Sequence, residues 1–141
     1  MSVTYTATHT TAPRPTASTG SLLGAGVVAT ALASGATTIV AATGNAAGIS
    51  LDIAGAPIPV QGFATLTAFF SLIGLVLAVV MGRVARRPRR TFVRATVVLT
   101  VLSLVPDVIV DATSATKALL MLTHLVAAAI VIPAVARRLR A

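Results

Sequence analysis

Residues 63–81 read FATLTAFFSLIGLVLAVVM, a run of 19 residues without a charged side chain. A helix needs about 20 apolar residues to cross a hydrocarbon layer of about 30 Å. Because lipid offers no hydrogen-bond partners to the backbone, such a run must form a helix or join a closed barrel. It lacks the alternation of a barrel strand, so it predicts a transmembrane helix.

Three further apolar runs of similar length cover residues 22–43, 92–111 and 118–136. With 56% hydrophobic and only 10% charged residues, the chain has too few charges for the surface of a soluble domain. We therefore predict an all-α, four-transmembrane-helix bundle over residues 21–141. Residues 1–20, rich in Thr, Ala and Pro, are expected to form a disordered cytoplasmic tail. We expect the first span to stay as a membrane anchor rather than be cleaved as a signal peptide.

The arginines set the predicted orientation. Arg14 precedes the first span, and the others flank the second, third and fourth spans: Arg83, Arg86, Arg87, Arg89, Arg90, Arg94, Arg137, Arg138 and Arg140. Only Lys117 lies on the opposite side. Because positive residues collect in cytoplasmic loops, we predict an inner-membrane protein with both termini in the cytoplasm. The arginines are interpreted as topology anchors that contact anionic lipid head groups of the bilayer, with a regulatory or partner-binding role as the alternative.

A net charge of +8 raises the question of nucleic acid. The basic residues lie in short flanks, however, and 4% aromatic residues without Trp leave little for base stacking. We therefore expect no nucleic-acid partner. The absence of cysteine from the sequence excludes disulfides, thiolate zinc sites and cysteine nucleophiles.

The connection between the first two spans, residues 45–62, has the pattern of a small β-hairpin. Apolar and polar side chains alternate in ISLDI at 49–53, Ala54-Gly55 supplies a turn, and APIPV at 56–60 resumes an extended run. Pro57 and Pro59 confine their strand to an edge. We expect the apolar side chains of this hairpin to rest on the outer ends of the helices.

Small and hydroxylated residues recur at helical spacing in three spans and predict the faces that pack together. These stripes are Thr30, Ser34, Thr37, Ala41 and Asn45; Thr67, Ser71, Gly74, Ala78 and Gly82; and Thr96, Thr100, Ser103, Asp107 and Asp111. Plain helix packing accounts for the first two. The third ends in two carboxylates, and an Asp at the centre of a span costs roughly 2.5–3.5 kcal/mol.

Asp107 and His124 are predicted to meet. Asp107 lies 13 residues from Arg94, and His124 lies 13 residues from Arg137, so each is about 20 Å from the same membrane face. The third and fourth spans are antiparallel neighbours. The two side chains can therefore reach one level, in the outer half of the membrane.

Farther out, Asp111 and Lys117 are expected to form a second, wetter pair. With Asp52 from the hairpin, three carboxylates and one histidine would converge on a site for a proton, a cation or a small ligand. The spacing matches no specific metal motif, so the identity of any metal stays open. The alternatives are structural: Asp111, Thr113 or Ser114 caps the fourth helix, and the Asp107–His124 pair only fixes the register of the helices.

Residues 22–140 resemble a group of small four-helix membrane proteins of actinobacteria that are catalogued only as a domain of unknown function. The resemblance rests on GISLD at 48–52 with APIP at 56–59, on PD at 106–107 with Asp111, and on LMLTH at 120–124 leading to ARRL at 136–139. It implies an inner-membrane location and the same topology, and it supplies no activity or cofactor.

Two functions are compatible with these patterns. The first is a membrane protein whose Asp/His site binds a proton, a cation or a small ligand and which acts as an oligomeric transporter, because four short helices enclose little volume. The second is a structural or accessory subunit of a larger membrane complex, held by its small-residue faces. An intramembrane hydrolase or transferase is a third alternative, but no catalytic motif supports an enzyme, and no cofactor is indicated.

Overall fold

The computed structural model describes residues 19–140. Within this range the chain forms four long helices, α1 (Thr19–Ala46), α2 (Val60–Val84), α3 (Pro88–Ile109) and α4 (Ser114–Ala136). Strands β1 (Asp52–Ile53) and β2 (Ala56–Pro57) form a hairpin between α1 and α2. Each of these helices is long and apolar enough to cross a membrane, so the predicted fold is confirmed. The predicted tail falls outside the described residues, apart from the two residues with which α1 begins.

The helices pack as a ring in which α1 and α3 occupy opposite corners. α1 packs against α2 and α4, α3 packs against α4 and α2, and a smaller contact joins α2 to α4 across the diagonal. We call one end of the bundle the arginine end; it carries Arg83, Arg86, Arg87, Arg89, Arg90, Arg94, Arg137, Arg138 and Arg140. The other is the hairpin end, and the three aspartates of the sequence lie toward it.

Two apolar clusters hold the bundle together. Toward the arginine end, the fully buried ring of Phe92 on α3 packs with Leu75 of α2 and Val135 of α4. Toward the hairpin end, Phe63 of α2 packs with Leu119 of α4 and with further buried side chains. Many other large apolar side chains point outward, as expected for helices whose outer faces meet lipid.

The buried face of α1 lies close to the predicted stripe and is slightly rotated from it. Thr37 and Ala41 are buried as predicted, whereas Asn45 is exposed. Glycines define the observed face, because the side chain of Leu75 reaches into the space beside Gly26, and Leu119 does the same at Gly44. A missing side chain on α1 therefore determines where its neighbours approach.

One hydroxyl pair joins two helices across the bundle: Thr37 Oγ1 and Thr67 Oγ1 lie 2.9 Å apart, between α1 and α2. The hydroxyls of the third stripe behave differently. Thr96, Thr100 and Ser103 each donate to carbonyl oxygens of α3 itself. That stripe also ends before Asp111, because α3 ends at Ile109.

The hairpin has the register Asp52↔Pro57 and Ile53↔Ala56. Ala54 and Gly55 form its two-residue turn with φ of 52° and 79°, the pair of positive angles that suits the twist of a hairpin. Its apolar side chains pack into the cluster at the hairpin end; these are Ile49, Leu51, Ile53, Ile58 and Val60. The predicted hairpin and its packing against the ends of the helices are confirmed.

Candidate functional site

The Asp107 carboxylate and the His124 imidazole meet between α3 and α4. Oδ2 of Asp107 lies 2.9 Å from Nδ1 of His124. Asp107 is 8% exposed, whereas the imidazole side chain is 38% exposed. The two side chains therefore reach one level, as the counts from Arg94 and Arg137 predict, and the histidine faces outward from the pair.

The imidazole Nδ1 has a second oxygen neighbour, because the Leu120 carbonyl oxygen lies 3.1 Å away on the preceding turn of α4. A carbonyl oxygen can only accept, so Nδ1 carries a proton and donates it to Leu120. The contact to Asp107 is close but out of line with this N–H, and Oδ2 is buried without an aligned hydrogen bond.

The backbone around Asp107 is also interrupted. Pro106 precedes it inside α3 and has no N–H, so the Leu102 carbonyl one turn back lacks its helical donor. The helix nevertheless continues, and Val110 N–H donates to the Pro106 carbonyl at 2.9 Å. The carboxylate thus lies next to the one turn of α3 where the helical hydrogen-bond ladder is broken.

The predicted pair between Asp111 and Lys117 is wrong. Nζ of Lys117 donates to the Val108 carbonyl oxygen at 2.9 Å, and this carbonyl belongs to the last turn of α3, where no helical donor follows. A cation at a helix C-terminus is also electrostatically favourable. Asp111 lies beyond the end of α3, where its side chain is exposed and its backbone carbonyl accepts from Ala54 N–H at 2.9 Å.

Asp52 does not join the pair either. Ser50 Oγ donates to its Oδ2 at 2.8 Å, and Asp52 N–H donates back to Ser50 Oγ at 3.1 Å, so the carboxylate is held within the hairpin. Across residues 19–140, no group of three or more His, Cys, Asp or Glu side chains lies close enough to share a metal ion. The expected convergence of three carboxylates and one histidine is therefore not found.

Sequence reasoning missed Thr116, which is 1% exposed. Its hydroxyl donates to the Ser50 carbonyl at 2.6 Å, while Thr113 caps α4 by accepting from Thr116 N–H at 3.2 Å. Of the three predicted caps, Asp111, Thr113 and Ser114, it is Thr113 that caps this helix. With the bond from Ala54 to Asp111, the hairpin is attached at two points to the corner between α3 and α4. The only local signal was the pair of threonines three residues apart at a helix start.

Residues 17–141 match a protein family described as a family of unknown function, DUF6069. The chain belongs to DUF6069. The match spans the four helices and the hairpin. It agrees with the resemblance to four-helix membrane proteins of unknown function. The actinobacterial origin stays a prediction. No curated protein and no solved structure matches the chain. Membership in DUF6069 names no activity.

All nine arginines of the arginine end are exposed in this DUF6069 chain. In the described part of the chain, the Asp107–His124 contact is the one approach of a Lys, Arg or His side-chain nitrogen to a carboxylate oxygen within 4.0 Å. The arginines consequently have no carboxylate side chain as a partner, because all three lie toward the other end. They form a purely cationic rim.

Proposed function

We propose that this small polytopic membrane protein lies in an inner membrane with both termini in the cytoplasm, and that Asp107 and His124 form its binding site for a proton or a small cation. The observation that carries the proposal is the buried Oδ2 of Asp107, 2.9 Å from Nδ1 and without an aligned hydrogen bond. Ionisable groups inside a span are costly and typically mark ion or proton pathways.

The charge distribution supports the orientation. Nine arginines surround one end of the bundle, and within residues 19–140 Lys117 is the only lysine or arginine near the other end. Positive residues are enriched on the cytoplasmic side, which makes the arginine end cytoplasmic. The Asp107–His124 pair then belongs to the outer half of the membrane.

The chemistry of the pair follows from its two protonation states. With the imidazole protonated and the carboxylate ionised, the pair is neutral, which suits a medium of low dielectric constant. Loss of the Nε2 proton leaves a net negative charge on a buried carboxylate. The negatively charged pair attracts either a proton or a cation. Either one reaches the pair from the exposed side of His124.

Transport by such a site requires more than one copy, since four short helices enclose little space. Ala78 of α2 is fully buried within the bundle and cannot contact a second copy, although Gly74 on the same helix faces open space. α3 offers a wider surface, because only Pro88, Phe92 and Asp107 are buried along it. We propose that copies associate through α3, next to the binding site.

Infrared spectroscopy of the protein in lipid vesicles tests the binding site. The carboxylate band of Asp107 should shift as the imidazole gains its proton at lower pH, and Asp107→Asn should remove this shifting component. Asp111→Asn is the matched control, because this carboxylate is exposed and lies one turn farther along. Addition of Na⁺ or Mg²⁺ at constant pH should also shift this carboxylate band if a cation takes the place of the proton.

Proton flux into vesicles loaded with a pH-sensitive dye tests transport. The wild type should acidify the lumen faster than Asp107→Asn or His124→Gln, and Asp111→Asn should behave like the wild type. A carboxylate band that shifts equally in wild type and in a folded Asp107→Asn protein, together with an unchanged flux, would contradict the proposal. A changed band with an unchanged flux would support the binding site and contradict transport.

A second candidate is an accessory subunit of a larger membrane complex. It is favoured by the same feature of α3, whose outward face presents Val98, Leu102 and Val105, each more than half exposed. Crosslinking from Leu102→Cys in native membranes distinguishes the candidates. Crosslinks to a second copy support the oligomer, and crosslinks to a larger protein support the accessory subunit.

A further inference from the structure

We infer that the groove between α1 and α4 at the arginine end binds the acyl chain of an anionic phospholipid, whose phosphate contacts Arg137 and Arg138. The groove has a volume of about 730 Å³. Its walls include Gly24 and Val28 of α1 and Ala134 of α4, and the two arginines lie at its end. This inference does not depend on Asp107 or His124, which lie toward the hairpin end.

The shape of the groove fits a lipid tail. It follows α1 from Gly24 to Leu32, a rise of about 12 Å. One leaflet contributes about half of a hydrocarbon core of about 30 Å, so the groove covers most of that depth. Val28 and Leu32 are 59% and 61% exposed, which shows that the groove opens sideways, toward the lipid rather than into the bundle.

Small residues create this groove. An added Cβ at Gly24 would meet no atom within 4 Å, so the space above this residue is open. Ala25 and Ala134 line the same space with only one methyl group each. Residues of this size let another apolar chain approach the backbone closely, and here no other element of the described chain fills the gap.

Charge complementarity identifies the occupant. Arg137 and Arg138 directly follow α4 and have no carboxylate side chain within reach in residues 19–140. Arginine presents several N–H donors in a geometry that matches phosphate oxygens. The segment that precedes α1 in the sequence is a poor alternative, because its only charged side chain is Arg14, which repels the same rim.

Native mass spectrometry of the detergent-solubilised protein tests this site. Dioleoylphosphatidylglycerol should stay bound in preference to dioleoylphosphatidylcholine. Each of Arg137→Gln and Arg138→Gln should weaken binding of the anionic lipid about fivefold, the equivalent of about 1 kcal/mol for each arginine. Arg86→Gln and Arg90→Gln are matched controls, since these exposed arginines lie outside the groove. Inorganic phosphate should not displace the lipid, because it has no acyl chain.

A side chain that fills the groove distinguishes the contribution of the acyl chain to binding from that of the head group. Gly24→Leu should weaken binding of both lipids, whereas Gly35→Leu on the same helix should not, although its Cβ also meets open space. Circular dichroism and the unfolding midpoint should be equal in the two variants. Lipid binding that is unchanged in Gly24→Leu and in both groove arginine variants would overturn the inference. Displacement by inorganic phosphate alone, or a dimer that dissociates in Gly24→Leu without loss of lipid, would overturn it as well.

Discussion

The hydroxyl of Thr116 donates a 2.6 Å hydrogen bond to the backbone carbonyl of Ser50, a residue 66 positions earlier in the chain. This bond crosses from the start of α4 to the hairpin connection. With the bond from Ala54 N–H to the Asp111 carbonyl, it holds the hairpin over the corner between α3 and α4. Asp111 lies four residues after Asp107, and Thr116 lies eight residues before His124, so the hairpin is attached to these two helices on the hairpin-end side of the candidate site.

Thr116→Val should destabilise the protein by about 1–3 kcal/mol, because it removes the donor and leaves a carbonyl oxygen without its partner. Reversible unfolding in detergent, followed by circular dichroism, measures this change. Thr65→Val is the matched control: Thr65 is exposed and its hydroxyl bonds only to Gln61 of its own helix, so its effect should stay within about 0.5 kcal/mol. Equal effects of the two substitutions would show that the bond to Ser50 contributes no stability.

Lys117→Met should lower the free energy of unfolding by about 0.5–1.5 kcal/mol, since the Val108 carbonyl then loses its donor. Asp111→Asn should change it little, and the double variant should equal the sum of the single ones, because the two side chains do not touch. A coupling energy above about 0.5 kcal/mol would instead indicate an ion pair between Lys117 and Asp111. The same unfolding assay measures all three variants.

The four spans and the hairpin can be predicted from sequence because each rests on a local property. Run length and missing charge predict the spans, and alternation around Ala54-Gly55 predicts the hairpin. The meeting of Asp107 with His124 can also be predicted, since counting residues along two antiparallel helices fixes relative height. These inferences need no knowledge of how side chains bond across the fold.

The errors over Asp111 and Lys117 share one cause, which is the place where α3 ends. The prediction continued the helix to Asp111, and a helix of that length would have put both carboxylates on one face. α3 ends at Ile109 instead, so the polar stripe stops at Asp107. The Val108 carbonyl oxygen, which has no helical donor, then accepts a hydrogen bond from the ammonium group of Lys117. Helix ends depend on such capping contacts, which spacing alone does not reveal.

Ala54→Gly should stabilise the protein by about 0.5–1 kcal/mol. Ala54 has a φ of 52°, a left-handed conformation that is costly for a residue with a Cβ and free of cost for glycine, and the gain exceeds the extra entropy of a glycine in the unfolded chain. The adjacent Gly55→Ala should have the opposite sign and destabilise by about 1–2 kcal/mol, because Gly55 has a φ of 79°. Unfolding free energies that move in the same direction for both would contradict the observed turn.

Gly26→Val should destabilise the bundle by about 1–3 kcal/mol, because the side chain of Leu75 occupies the space that the new Cβ requires. Gly35→Val tests the same substitution on the same helix where nothing lies within 4 Å, and any gain in helix propensity is common to both variants. The difference between their unfolding free energies therefore isolates the contact between α1 and α2. Leu75→Ala should cost less stability in the Gly26→Val background than in the wild type, since there it also returns the contested space. A Gly26→Val protein as stable as Gly35→Val would mean that α1 and α2 do not approach each other at this glycine.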